Sequence, residues 1–178
     1  MNGMNEQSSD FLLLLEREQA GMLELCSKLE DVADRIPASV YCGKAAELVN
    51  LAGKALQRHI FLHESCLFPV IRDCGDAANA AEAALRQFEF EHASEQGLIV
   101  EISETLTQAA ANGARLNAEC LGHLLRNFFE GYKRHAMWEC LILFPIVRMP
   151  YIGEALQLRS DVLTRLELYS RTCGCLPN

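Results

Sequence analysis

The chain has 178 residues, of which 50% are hydrophobic and 22% are charged, with 11 Gly and only 5 Pro. This composition excludes a disordered or collagen-like chain, and the length corresponds to one domain. Lys and Arg number 16 against 24 Asp and Glu, a net charge of -8 without any basic tract, so nucleic acid and anionic membrane surfaces are poor partners.

Four long helical segments and a shorter fifth are predicted, because apolar residues recur every three or four positions along the chain. Turn signals separate these segments at residues 36–39, 73–76, 111–113 and 149–153. The fifth segment, 154–171, is amphipathic. The sequence therefore predicts an all-α fold, an up-down-up-down four-helix bundle with a shorter C-terminal fifth helix. We expect the bundle over residues 10–149, with residues 150–178 forming a C-terminal helix and tail packed on the same domain.

Eight cysteines are the most unusual feature of the composition. An even count indicates a disulfide framework in small secreted chains, but the first ten residues lack the basic region of a signal peptide. No stretch reaches 18 continuous apolar residues, the length that would suggest a membrane helix. We therefore expect a cytoplasmic protein with reduced thiols, in which the six cysteines before the tail fill the core. The sequence assigns no role to Cys173 and Cys175 of the tail.

Polar side chains interrupt the apolar seam of every long segment near the middle of its length. They are Gln19 in the first segment, His59 and His63 in the second, His92 with Glu95 or Gln96 in the third, and His135 and Glu139 in the fourth. Residues four apart on a helix project to the same side, so each pair can reach one interior point. A buried imidazole or carboxylate without a partner costs several kcal/mol. A shared metal centre satisfies all of these groups together, and imidazole and carboxylate suit Fe, Mn and Zn.

Residues 59–69 and 135–145 share a second regularity, in which an i, i+4 pair of metal-ligand type is followed by Leu-Phe-Pro. Proline inside a helix removes a hydrogen bond, which predicts a kink beyond each pair. We expect Phe68 and Phe144 to pack over that end of the site and exclude water.

These residues resemble the pattern of hemerythrin-like proteins, the HHE cation-binding domains, over about residues 10–149. The similarity rests on His59, His63 and Glu64 with Leu67-Phe68-Pro69, on Glu91-His92, and on His135 and Glu139 with Leu143-Phe144-Pro145. The resemblance implies a four-helix bundle that holds a non-haem di-iron centre bridged by carboxylates. It also implies terminal-ligand roles for three histidines and a bridging role for one carboxylate: His59, His92, His135 and Glu139. Activities in this family include oxygen binding, sensing, and nitric-oxide or iron-centre repair.

The chain departs from the family pattern at three places. Gln19 stands where a first-helix His is common. His63, followed by Glu64, replaces the first bridging Glu and becomes a candidate terminal ligand. Gln96 or Glu95 stands in place of the second His of the third helix. Gln19, Glu64 and Gln96 are thus further candidate ligands, and a mononuclear site, or zinc or manganese instead of iron, is an alternative to di-iron.

The expected function is metal binding, with the centre used for oxygen or nitric oxide binding, sensing or metal handling. A small diatomic ligand is the expected partner, and the fifth helix is a candidate surface for a homodimer. The alternatives are a helical interaction or structural protein with a degenerate metal site, or an iron-centre repair or nitric-oxide stress protein. The chain contains no nucleophile elbow, P-loop or dinucleotide fingerprint, so it offers no catalytic residues and an enzyme is the less favoured class. Ferritin-like proteins are also less favoured, because their Glu-x-x-His element occurs only once, at Glu89 and His92.

Overall fold

A computed structural model describes residues 6–35, 42–112 and 117–158 of the chain. All regular structure in these residues is helical, with two short segments of π-helix. The elements are α1 (Glu6–Arg35), α2 (Cys42–Ile60), the first π segment (Phe61–Leu67), α3 (Phe68–Arg72), α4 (Asp76–Asn112), α5 (Ala118–Trp138), the second π segment (Glu139–Leu143), α6 (Phe144–Val147) and α7 (Pro150–Leu158).

The four long helices form a bundle in which each has two neighbours. Helix α1 packs against α2 and α5, and α4 packs against the same two helices from the other side. The short helix α7 packs against α1, α3 and α6. These contacts confirm the predicted all-α four-helix bundle with a shorter fifth helix. That fifth helix begins at Pro150, earlier than predicted, and its predicted part beyond Leu158 lies outside the described residues. The division into residues 10–149 and 150–178 stays a prediction.

Local signals explain two of the helix boundaries. Gly75 has a φ of 60°, a left-handed conformation that glycine adopts without strain, and it turns the chain from α3 into α4. The side chain of Asn117 accepts a hydrogen bond of 3.1 Å from the backbone N–H of Cys120, which caps the start of α5. The predicted turn at 73–76 is therefore present, whereas residues 36–41 and 113–116 lie outside the described part of the chain.

Both Leu-Phe-Pro steps are accommodated by a π-helical turn. The backbone N–H of Phe68 donates to the carbonyl of His63, and that of Phe144 donates to the carbonyl of Glu139, so each bond spans five residues. Proline at the next position cannot donate a hydrogen bond, and a wider turn before it re-satisfies the backbone. Because each π segment contains a polar seam residue, the local widening also sets where His63 and Glu139 point.

The buried apolar residues divide into two clusters, one on each side of a polar layer. In α1, Leu15 belongs to the first cluster and Met22 to the second, with the buried Gln19 between them. In α4, Phe88 and Ile102 belong to opposite clusters, with the buried His92 between them. Within the described residues, the buried polar side chains therefore lie in one internal layer between the two apolar clusters.

The cysteines are less uniformly buried than expected. Cys26 and Cys66 are buried in the two apolar clusters, as the seam pattern predicts. Cys120 and Cys140 are exposed, so the expectation that all six cysteines before the tail fill the core is wrong for these two. Five cysteines of the described part of the chain carry free thiols, and Cys42, Cys173 and Cys175 lie outside the described side chains.

Across the ranges that the structure describes, no helix taken alone has the length and apolarity needed to cross a membrane. One pair, Ala118–Val147 with Pro150–Leu156, meets those limits jointly but bends by 84° between its two halves.

Candidate metal centre

Four histidines meet in the polar layer. They come from α2 and the π segment that continues it, from α4 and from α5. One nitrogen from each lies within 4.8 Å of the chosen nitrogens of the other three. All four side chains are buried, with residue exposures between 0% and 2%: His59, His63, His92 and His135. His59 and His63 lie one helical turn apart, so their rings project to the same side. Helix α4 carries His92 and packs against both α2 and α5, and α5 carries His135.

Glu139 completes the layer from the second π segment. Its Oε1 lies 3.1 Å from Nε2 of His59, 3.3 Å from Nε2 of His63 and 3.1 Å from Nε2 of His135. The Nε2 atoms of His59 and His135 are 3.2 Å apart. Three imidazoles therefore present the same nitrogen to one carboxylate oxygen, and this oxygen marks the centre of the cluster.

In three of the four histidines, the opposite ring nitrogen faces a polar side chain outside the cluster. Nδ1 of His92 is 2.7 Å from Oε1 of Glu64, and Nδ1 of His135 is 3.2 Å from Oε2 of Glu91. Nδ1 of His59 is 3.5 Å from the hydroxyl of Tyr132. Metal-ligating histidines commonly present one nitrogen to the metal and the other to a carboxylate, which orients the ring and makes it a better ligand. The arrangement follows that pattern.

Burial and neighbouring charges set the protonation of the layer. Burial lowers the pKa of His63 and His92, and the adjacent imidazoles lower it further, so both rings are neutral at pH 7. Burial acts to raise the pKa of Glu139, but the imidazoles of His59, His63 and His135 outweigh it and hold the pKa well below its usual value. Neutral imidazoles and an ionised carboxylate are the forms that bind metal ions.

Two further groups of the layer have shifted pKa values. Burial acts to lower the pKa of His135, but hydrogen bonding to Glu139 and the nearby carboxylates of Glu91 and Glu95 raise it to about 10. Burial raises the pKa of Glu95 to about 7. In the metal-free protein His135 is therefore a cation that balances the charge of Glu139. A metal ion at Nε2 of His135 would take over this role.

Aromatic side chains close the site. The Phe68 ring stacks on His92 with its centroid at 6.2 Å, and the Tyr132 ring stacks on His135 at 5.6 Å. The Phe88 ring meets His135 edge-on at 5.3 Å. The packing expected of Phe68 is therefore present, while Phe144 lies in the same apolar cluster as Phe68. These rings exclude water from the imidazoles, which strengthens electrostatic interactions inside the layer.

The residues fit a transition metal ion. Nε2 of His92 and Nδ1 of His63 are buried and have no hydrogen-bond partner within the described residues, although buried polar atoms are normally paired. An ion placed among the imidazoles would satisfy Nε2 of His92. Imidazole nitrogen with one carboxylate oxygen is a donor set that suits Fe, Mn and Zn.

The remaining sequence candidates lie around the four histidines rather than among them. The amide nitrogen of Gln19 donates to Oε2 of Glu139 at 2.5 Å, so Gln19 contacts the carboxylate. Glu64 contacts the outer nitrogen of His92. Gln96 is exposed and does not reach the layer, because its neighbour Glu95 takes the inward position. Of the two residues that the sequence offers at this position, the structure places Glu95 in the layer and Gln96 on the surface.

Three polar neighbours of the histidines were not predicted as site residues. Glu91 appears in the sequence only as part of the Glu-His motif, and the helical spacing of Tyr132 predicts burial but no role in the site. Glu95 appears only as the alternative to Gln96. The heptad spacing does contain a signal for Glu95. A four-residue step leads from Phe88 to His92, and the three-residue step that follows it in a heptad leads to Glu95.

Comparison with known families gives one match. The family described as Hemerythrin HHE cation binding domain matches residues 10–147. The chain therefore belongs to the hemerythrin HHE cation-binding family, and the resemblance inferred from the sequence is confirmed. Neither a curated protein nor a solved structure matches the chain. Family membership and the buried histidine cluster together indicate metal binding.

Proposed function

We propose that this protein binds a transition metal through His59, His63, His92, His135 and Glu139, and that the metal serves to bind or sense oxygen or nitric oxide. The observation that carries the proposal is the convergence of four buried imidazole nitrogens within 4.8 Å of one another. Such a layer is unfavourable in a core unless a common partner satisfies it.

Iron is the metal we propose first. The family is a cation-binding one, and imidazole with carboxylate oxygen is the donor set of non-haem iron sites. When bound, iron would supply a coordination position for a diatomic ligand. The chain's own residues would hold the ion and orient the imidazoles, and the rings of Phe68, Phe88 and Tyr132 would keep bulk water out. Zinc and manganese are compatible with the same donors.

The test is a metal analysis with optical spectra. The protein is purified under air and under nitrogen, its metal content is measured, and metal-free protein is titrated with Fe(II). The proposal predicts that a transition metal binds and that the spectrum of the iron form changes when oxygen or nitric oxide is added. Iron that binds without any response to either gas would remove the sensing role and leave metal handling. If no transition metal binds, the proposal is refuted.

A helical interaction protein is the second candidate. Several large apolar side chains are exposed, among them Phe90 at 67% and Leu141 at 62%, which is compatible with a partner surface. A degenerate site would have to satisfy its polar layer from within the protein, and Nε2 of His92 finds no partner in the described residues. This observation favours metal binding over the degenerate alternative. Location in the cytoplasm and a homodimer remain predictions from the sequence.

A further inference from the structure

We propose that Glu91, Glu95 and Nδ1 of His135 form an outer cation site, which takes up a divalent metal ion from solvent and delivers it to the histidine layer. The inference rests on the proposed metal-binding function and concerns the route by which an ion reaches the layer. The outer site lies on the side of the His135 ring that faces away from the other histidines.

The buried layer needs an entry path, because its four histidines are only 0% to 2% exposed. Glu91 joins the surface to the layer, since its side chain is 23% exposed and its Oε2 lies 3.2 Å from Nδ1 of His135. Glu95 lies one helical turn further along α4, and its side chain is 5% exposed. The two carboxylates thus lead from the surface to a fully buried ring.

Three polar atoms meet at the outer side of His135 without satisfying one another. Nδ1 of His135, Oε2 of Glu91 and Oε2 of Glu95 are buried and have no hydrogen-bond partner within the described residues. Buried polar atoms are normally paired. The Nδ1 atom nevertheless points at both carboxylates, at 3.2 Å from Glu91 and 3.6 Å from Glu95. A buried nitrogen aimed at two carboxylates is an arrangement that a cation would satisfy.

The separations of these atoms suit ligands of one ion. Two ligand atoms that each lie about 2.1 Å from an ion are separated by roughly 3.0 Å at a right angle and roughly 3.4 Å in a tetrahedron. The separations of 3.2 Å and 3.6 Å from Nδ1 to the two carboxylates are close to these values. One imidazole nitrogen with carboxylate oxygens is a donor set for divalent transition metals.

The charge around His135 favours a cation. Three carboxylates lie within 3.6 Å of its ring nitrogens, from Glu91, Glu95 and Glu139, whereas the ring carries at most one positive charge. Arg134 also acts on Glu91 and Glu95, but it is exposed and donates to a backbone carbonyl of its own helix. A negatively charged site of this kind attracts cations and raises their rate of association.

The transfer to the layer involves a single ring. An ion that binds Nδ1 of His135 displaces the proton from that nitrogen to solvent, while Nε2 keeps its hydrogen bond of 3.1 Å to Oε1 of Glu139. The ion is then one imidazole away from the other histidine nitrogens. Glu64 offers a different arrangement on the other side of α4, where one carboxylate is hydrogen-bonded to Nδ1 of His92 at 2.7 Å. That pair is already satisfied, so we assign entry to Glu91 and Glu95.

The experiment measures the rates at which Co(II) enters and leaves the full-length protein. Metal-free protein is mixed with Co(II) in a stopped-flow instrument, and loaded protein is mixed with excess EDTA. In Glu95→Gln, which keeps the shape of the side chain and leaves Glu91 in place, we expect the association rate constant to fall about tenfold. The dissociation rate should fall by the same factor, because an entry path is also the exit path, so the Kd and the final cobalt spectrum stay unchanged.

Two variants serve as comparisons. Glu104→Gln makes the same substitution at an exposed position of α4, and its rates should match those of the unmodified protein. Glu64→Gln removes the carboxylate that orients His92, so it should lose Co(II) faster while its association rate stays unchanged. The direction of the change in the dissociation rate thus separates an entry site from a residue that supports a bound ligand.

The outcomes separate this inference from the proposed function. Equal association rates in Glu95→Gln and Glu104→Gln would overturn the inference and leave metal binding intact. Faster dissociation from Glu95→Gln would overturn it as well, because the carboxylate would then stabilise the bound ion instead of its passage. If no Co(II) binds, the proposed function itself is refuted. If Glu95→Gln does not fold, the unmodified protein still decides: its loading rate should level off as the outer site fills, and a rate proportional to Co(II) over the whole soluble range would contradict the inference.

Discussion

Replacement of His92 by Ala should abolish most of the stabilisation that a metal gives to this protein. His92 contributes one of the four clustered nitrogens, and its Nε2 has no protein partner within the described residues. His123→Ala is the matched control, because His123 lies on α5 with its side chain 76% exposed. The comparison therefore changes the same residue type inside and outside the layer.

The size of the effect follows from linkage between binding and folding. A ligand at one hundred times its Kd stabilises the folded state by about 2.7 kcal/mol. For a chain of this length, that raises the Tm by about 5–11 °C. If loss of one ligand weakens binding a hundredfold, the same metal concentration equals the new Kd. It then contributes only about 0.4 kcal/mol, or about 1–2 °C.

The metal-free variant must be measured as its own reference. Loss of the ring opens space beside Phe68, which destabilises the core. Removal of the unpartnered Nε2 has the opposite effect, worth about 1–3 kcal/mol. The assay is therefore the difference in Tm with and without Zn(II) or Co(II) for each protein, by differential scanning calorimetry. A metal-induced shift in His92→Ala as large as in His123→Ala would refute the assignment of His92 as a ligand.

Three further predictions address the surroundings of the site. Glu64→Gln should weaken metal binding about tenfold in a competition titration, because it removes the carboxylate at Nδ1 of His92, while thermal unfolding of the metal-free protein changes little. At pH 8, iodoacetamide should alkylate the exposed Cys120 and spare the buried Cys26. Burial raises the pKa of the Cys26 thiol to about 12, so roughly one such thiol in ten thousand is ionised at this pH. Equal labelling of the two cysteines, measured by mass spectrometry, would contradict this prediction. Phe68→Ala should lower the free energy of unfolding by about 3–5 kcal/mol in urea, because the ring is fully buried, and a loss below 1 kcal/mol would show that it is not a core residue.

The bundle and its inner layer could be predicted because both depend on helical periodicity. Buried seam positions such as Leu15, Met22 and Leu29 recur every seven residues, a spacing that keeps them on one face of a helix. Polar residues on that face have to be buried when the helices pack. His59 and His135 were therefore located from spacing alone, without knowledge of any contact between helices.

Contacts beyond that face could not be predicted in the same way. Glu64 and Glu91 lie only partly inside, and their roles depend on which nitrogen of a neighbouring helix's imidazole turns towards them. The position of Gln19 against Glu139 depends on the π turn that begins at Glu139, and proline in the sequence predicts a disruption without specifying its form. The choice of Glu95 over Gln96 depends on a difference of one residue in helical phase.

The central claim is that a metal ion lies inside the bundle and is held by imidazole. X-ray absorption at the metal edge tests it most directly, with protein loaded with one equivalent of Fe(II) or Zn(II). The account predicts a first shell of nitrogen and oxygen at about 2.0–2.2 Å, with the outer-shell scattering of three or four imidazole rings. A first shell of sulfur, or of oxygen without imidazole scattering, would place the metal on the thiols or on surface carboxylates and contradict the account.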